Sequence, residues 1–397
     1  MDVAQLREQT PGCAHRVHLN NAGAALMSSA TLEVMRRHLT LEAEIGGYEA
    51  ADAAQESIRG TYGSLAALIG GRPDQIALFD NSTHAWNAAF YSLPLRAGDR
   101  ILTGRSEYGS SVLAYWQVAA RTGVEVVAVP NDSSGQIDTE ALRKLADERT
   151  RLIGLTWVPT SGGLVNPAAE VGRIARDVGA LFLLDATQAV GQLAVDVAAL
   201  GCDLLTGTGR KFLRGPRGTG FLWVGDRALA RLEPHVVEIA SATWDGERGY
   251  TWAAGARRFE TWENSYVNIL GLGAAAEQAL DLGMHEIEKR TASLGARLRA
   301  QLGDLPDVTV HDLGEHRCAI VTARVSGLSA STVAAGLSRH HINVSTTVPE
   351  HNQFDTEDRG VHPLVRFSPH YFNTEEEIDW AVHAVAELEH TPTDAGS

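Results

Sequence analysis

The chain is poor in cysteine and in positive charge, and both shortages narrow what it can do. Three cysteines in 397 residues, Cys13, Cys202 and Cys318, are scattered and form neither a disulfide framework nor a CxxC metal pair. Lys and Arg number 34 against 49 Asp and Glu, a formal net charge of −15. That balance argues against a nucleic-acid or anionic-membrane surface, which needs clustered cations. No apolar run is long enough to span a bilayer, and the opening MDVAQLREQTPGC lacks a signal core. A soluble cytoplasmic protein is the expectation. The fifteen histidines include no HExxH, and His311, His316 and Cys318 lack zinc spacing, so no metal is expected.

What is present is ample material for a core, with 44% hydrophobic residues and no long biased tract. Short apolar runs at 100–103, 124–129, 152–158, 181–184 and 221–224 read as buried strands. Between them lie helical patterns such as 167–178, where Pro167 suits a first turn. Such alternation implies a mostly parallel sheet covered on both faces. After about residue 260 the pattern changes. One or two long helices are expected over 270–302, strands at 308–310, 319–325 and 364–367, and a helix at 331–339. A last helix opens at Asn373 with an acidic first turn, and the tail after Glu389, HTPTDAGS, is expected to fray. This second part reads as a smaller α+β lobe.

The stretch 181–220, LFLLDATQAVGQLAVDVAALGCDLLTGTGRKFLRGPRGTG, carries the chemistry. Asp185 ends an apolar strand, which places it at the carboxyl edge of the sheet, where α/β enzymes bind ligands. Lys211 follows the next strand, directly after Gly207-Thr208-Gly209-Arg210. An enzyme that holds pyridoxal phosphate needs a lysine to bind it covalently and a carboxylate for its ring nitrogen. It also needs small, hydroxyl or cationic residues for its phosphate. Two nucleotide motifs fail here. Phe212 stands where a dinucleotide fingerprint requires its third glycine, and Gly-Arg-Lys lacks P-loop spacing.

Together with HLNNAGAALMS near the start and VRFSPHYFNTEEEID near the end, this segment resembles the class V, cysteine desulfurase-like enzymes of fold type I that use pyridoxal 5′-phosphate. The resemblance implies an α/β fold whose large domain, residues 20–260, has a mostly parallel seven-stranded sheet flanked by helices. A smaller α+β domain would combine 1–19 with 261–397. It implies that Lys211 holds the cofactor, Asp185 pairs its ring nitrogen and Gln188 contacts its ring hydroxyl. Thr208 and Arg210 would bind phosphate, joined by Thr83 and His84 of DNSTHAWN. Tyr108 would stack on the cofactor, although the family usually has His there, and a phenol cannot supply imidazole acid/base chemistry. Arg366 would grip the substrate carboxylate, with Asn20, Asn21 and Thr160 lining the same pocket. A homodimer is implied, although FETWENS at 259–265 replaces the usual GTPN-like contact to the partner's phosphate.

A cysteine desulfurase needs a thiol on the loop before the Arg366 strand, and this chain has VSTTVPEH there. The runs LEAEIGGYEAADA, EYG and Trp262-Glu263-Asn264 look most like C–S lyases of the superfamily. These include hercynylcysteine sulfoxide lyases and the lincosamide-pathway enzymes that process S-cysteine conjugates. The expected reaction is β-elimination on an S-substituted cysteine. Decarboxylation-dependent oxidative deamination to an S-linked aldehyde, transamination and epimerisation are the alternatives. Trp86, Trp157, Trp244 and Trp262 hint at a bulky S-substituent. A non-catalytic nucleotide-binding protein would require Asp185, Lys211, Thr83 and Tyr108 to match by accident.

Overall fold

The computed structural model describes residues 1–360 and 363–389, so the tail after Glu389 lies outside the described residues. Seven strands build the central sheet: β1 Ile76–Phe79, β2 Arg100–Thr103, β3 Glu125–Ala128, β4 Thr150–Thr156, β5 Leu181–Asp185, β6 Leu204–Thr208 and β7 Gly220–Val224. Their spatial order is β3-β2-β4-β5-β6-β7-β1. Only β7 runs antiparallel to its neighbours, β6 and β1. The other pairs are parallel. Every residue of β5, β6 and β7 is buried, as expected for strands covered on both faces.

Helices α1 Ser29–Ile45, α2 Gln55–Ile69, α3 Ser82–Phe90, α4 Gly109–Thr122 and α5 Ala168–Asp177 accompany this sheet. The long helical stretch that follows is two helices, α6 Tyr266–Leu282 and α7 Met284–Gly303. They break at Gly283, whose φ of +82° suits glycine. Helix α6 packs on α2 and α1, so the chain beyond residue 260 first crosses back over the large sheet's own helices.

A second sheet follows, with β8 Val308–Val310, β9 Val321–Val325, β10 Ser345–Thr346 and β11 Val365–Phe367. Its order is β8-β9-β11-β10, antiparallel throughout. Helices α8 Ala330–Arg339, α9 Gln353–Arg359 and α10 Glu375–Glu389 complete it. Leu294 and Leu298 of α7, Val321, Phe367 and Val385 share its core. The N-terminus is sewn into this unit, because Val17–His18 pairs with Ile342–Asn343 and Asn20 bridges Ser368. The consequence is convergence. The carboxyl ends of β4, β5 and β6 and the starts of α3 and α4 meet at one edge of the large sheet, beside β11.

Candidate active site

A pocket opens at this edge, with Thr83, Tyr108, Thr160, Asp185, Gln188, Thr208, Arg210 and Lys211 on its wall. Asp185 is buried at the last position of β5, in register with Thr156 of β4 and Thr206 of β6. One of its oxygens, Oδ1, accepts the Thr187 N–H at 2.9 Å, which orients the carboxylate. Gln188 donates from Nε2 to the Ala22 carbonyl at 3.1 Å and to Thr160 Oγ1 at 3.4 Å. Its Oε1 is buried without a partner.

Lys211 sits on a tight turn just past β6. Gly209 donates to Thr219 O at 3.2 Å, Gly215 to Gly209 O at 2.7 Å and Arg214 to Lys211 O at 2.9 Å. A Cβ on Gly209 would lie 2.2 Å from Thr219 Oγ1, so only glycine fits this crossing. Burial pushes the Lys211 ammonium down to about 7, with Arg210 and Arg366 adding to the effect and Asp185 opposing it. A substantial fraction of the amine is therefore neutral at physiological pH, as a nucleophile or base must be. Thr208 Oγ1 donates to Thr219 O at 3.0 Å. Arg210 bonds the Gly23 carbonyl, and Ala25 donates back to Arg210 O at 2.8 Å.

Arg366, on β11, is not on the pocket wall itself but bonds Thr160, which is. Its Nη1 donates to Thr160 O at 2.9 Å and to Thr160 Oγ1 at 2.8 Å, while Nε is buried without a partner. Burial first, and then Arg210, lower its pKa to about 10. Asn20 and Asn21 do not line the pocket; they precede Ala22 and Gly23, whose carbonyls Gln188 and Arg210 bond. Asn21 Nδ2 donates to His18 O at 3.2 Å and to Ser368 O at 2.7 Å, and Ala22 N–H donates to Ser368 Oγ at 2.9 Å. The strand carrying Arg366 is thus tied to the stretch that Gln188 and Arg210 hold.

The α3 start brings Thr83 to the pocket but not His84. Asn81 caps α3 by accepting the His84 N–H at 2.9 Å. The His84 ring turns outward to Asp80, 2.6 Å away, with 62% of its side chain exposed. No described protein acceptor takes the Ser82 or Thr83 N–H groups. Tyr108 precedes α4, its N–H on Thr156 Oγ1 at 3.3 Å and its ring 5.8 Å from that of His351. Of the four tryptophans named above, Trp86 lines the pocket and Trp157 is buried. Trp244 and Trp262 are 74% and 56% exposed and stand away from it. Ser82, Ser110, Thr156 and Thr187 also line it; their only sequence signal is a place beside the named residues.

The set fits pyridoxal 5′-phosphate. Free helix N–H groups, Thr208 and Arg210 suit a phosphate. Asp185 suits a protonated ring nitrogen, and the unpartnered Gln188 Oε1 suits a polar ring substituent. The free edge of Arg366 suits a carboxylate. Comparison with known proteins agrees. The family model for class-V aminotransferases matches residues 17–380. A probable cysteine desulfurase of Synechocystis sp. is 30% identical over 91% of this chain and 88% of its own. One of Methanothermobacter thermautotrophicus is 29% identical over 86% of each. Among solved structures, the cystine C–S lyase C-DES with its product cysteine persulfide is 25% identical. It covers 96% of this chain and 99% of its own, with a TM-score of 0.86. A mutant of C-DES with glycine linked to its PLP cofactor matches with a TM-score of 0.87. With this pocket at the centre of the matched region, the chain belongs to the class-V aminotransferase family, and its cofactor is pyridoxal 5′-phosphate.

Proposed function

We propose that the protein is a C–S lyase that cleaves an S-substituted cysteine, or its sulfoxide, by β-elimination. The observation that carries this reading is the absence of a thiol from the pocket wall. Among the described residues Cys202 and Cys318 are buried elsewhere, their thiols pushed up by burial, and Cys13 is half-buried near Arg7. The chain from β10 to α9 carries Pro349-Glu350-His351 and no cysteine. Passing sulfur to the enzyme needs a thiolate acceptor, whereas elimination needs none.

When bound, the cofactor supplies an electron sink for a bond broken at the substrate's Cα. The chain supplies the rest. Arg366 binds the α-carboxylate through its free edge and orients Cα. Neutral Lys211 takes the Cα proton, and the Arg210 and Arg366 charges keep that amine from holding a proton too tightly. Asp185 holds the negative charge that complements a protonated ring nitrogen. Sulfur leaves Cβ with the bonding electrons, as thiol or sulfenic acid. Water hydrolyses the three-carbon remainder, so substrate plus water gives thiol, pyruvate and ammonia.

We further propose a homodimer with lobes divided as the sequence suggests, 20–260 against the two ends, except that α6 packs back on the large lobe. Exposed Ile239, Trp244 and Trp262 support a covered face there. The relatives named as desulfurases favour a second reading, cysteine desulfuration with sulfur passed to an outside thiol. Product analysis separates the two: pyruvate supports elimination, alanine supports desulfuration, and an S-linked aldehyde with carbon dioxide refutes both.

A further inference from the structure

Directly before Tyr108 lies an acid that none of the assigned roles uses. Glu107 is 2% exposed. Its Oε1 accepts the Thr156 N–H at 2.7 Å and its Oε2 accepts the Thr156 hydroxyl at 2.9 Å. The same hydroxyl oxygen accepts the Tyr108 N–H at 3.3 Å. Thr156 lines the pocket and stands in register with Asp185. No Lys, Arg or His of the described residues forms an ion pair with Glu107.

We infer that Glu107 is a positioning residue of the cofactor pocket: through Thr156 it seats Tyr108 on the wall and fixes which way the Thr156 hydroxyl points. A hydroxyl has one proton and two lone pairs. With the proton given to Glu107 and one lone pair taken by Tyr108, Thr156 can offer the pocket only an acceptor. Were Glu107 protonated, its O–H could donate to Thr156 instead, and the hydroxyl proton would turn free to face the pocket. The carboxylate also places a second negative charge behind Asp185. The titratable groups that face it are Asp185 from β5 and the Tyr115 phenol from α4. Burial pushes the Glu107 carboxyl up to about 7, so both arrangements are within reach near neutrality.

The inference concerns the pocket rather than the reaction and stands apart from the proposed chemistry. Its test is an absorbance titration of the cofactor-loaded protein against pH, with cofactor dissociation measured beside it. Glu107→Gln removes the charge and sets an amide N–H against the Thr156 hydroxyl, which must then turn and accept. The band of lysine-held cofactor should then lose its proton at a midpoint lower by about one pH unit. Cofactor should also dissociate several-fold faster. Thr156→Val should speed dissociation similarly, and adding Glu107→Gln to it should change dissociation little further, because both act through one hydroxyl. A Glu107→Gln midpoint and off-rate equal to wild type would overturn the inference. Fully additive off-rate effects of the two substitutions would overturn it as well.

Discussion

Arg366 and Thr160 are 206 residues apart, yet one guanidinium nitrogen of Arg366 bonds both the carbonyl and the hydroxyl of Thr160. The bond spends one end of the guanidinium on the large lobe and leaves the buried Nε without a partner. That half-used fork is what a substrate carboxylate would fill. Arg366→Ala should raise KM for the amino acid with a smaller change in kcat. The expected loss is about 1.5–3 kcal/mol, roughly tenfold to a hundredfold. Thr160→Val should do the same more weakly. Steady-state kinetics decides, and an unchanged KM for Arg366→Ala would make the residue structural.

The depressed Lys211 pKa has a sign that can be measured in the apoprotein. Between about 7 and its ordinary value of 10.5 the unfolded chain binds this proton and the folded chain does not. Stability contributed by this group therefore rises with pH across that window, by at most about 1.4 kcal/mol per unit, and is lowest below it. Lys211→Met should remove that part of the rise in apoprotein Tm. It should also prevent covalent retention of the cofactor. Parallel Tm profiles for the two proteins would show that the lysine titrates normally.

His84 and Thr83 are neighbours in sequence with opposite exposures to the site. His84→Ala should leave cofactor affinity unchanged within about twofold, since an exposed pair with Asp80 contributes little. Thr83→Val should weaken cofactor binding several-fold. Titration of apoprotein with pyridoxal phosphate compares them, and an equal loss for both would return His84 to the pocket.

Gly191 has a φ of +92°, and a Cβ there would lie 2.3 Å from Leu213 N and from Phe212 C. Gly191→Ala must shift the Lys211 turn or strain its own backbone. A destabilisation of roughly 1–3 kcal/mol is expected, with slower covalent capture of the cofactor. Denaturant unfolding and the growth of the visible band report each effect. A fully stable variant with normal capture would show that the turn is more pliable than its packing suggests.

Part of this site was readable from the chain. Asp185 and Lys211 lie at the ends of adjacent apolar strands, so local pattern placed them. The switch to a second lobe was visible where strand-helix alternation stops, but not the return of α6 over α1 and α2, which depends on packing of Gly273 against Thr61. The outward turn of the His84 ring was not legible, because a helix start offers its first N–H groups while its side chains fan outward. Glu107 carried no signal of its own, since its partner Thr156 lies 49 residues away. The exposure of Trp244 and Trp262 likewise depends on which faces the fold leaves uncovered.

The most direct test of the central claim uses a variant with Cys13, Cys202 and Cys318 replaced by serine or alanine. It would be supplied with a panel of S-alkyl and S-aryl cysteines and their sulfoxides. The account predicts pyruvate and released thiol or sulfenic acid in equal amounts, at the wild-type rate. With cysteine itself as substrate and an outside thiol present, alanine and persulfide sulfur in place of pyruvate would contradict it.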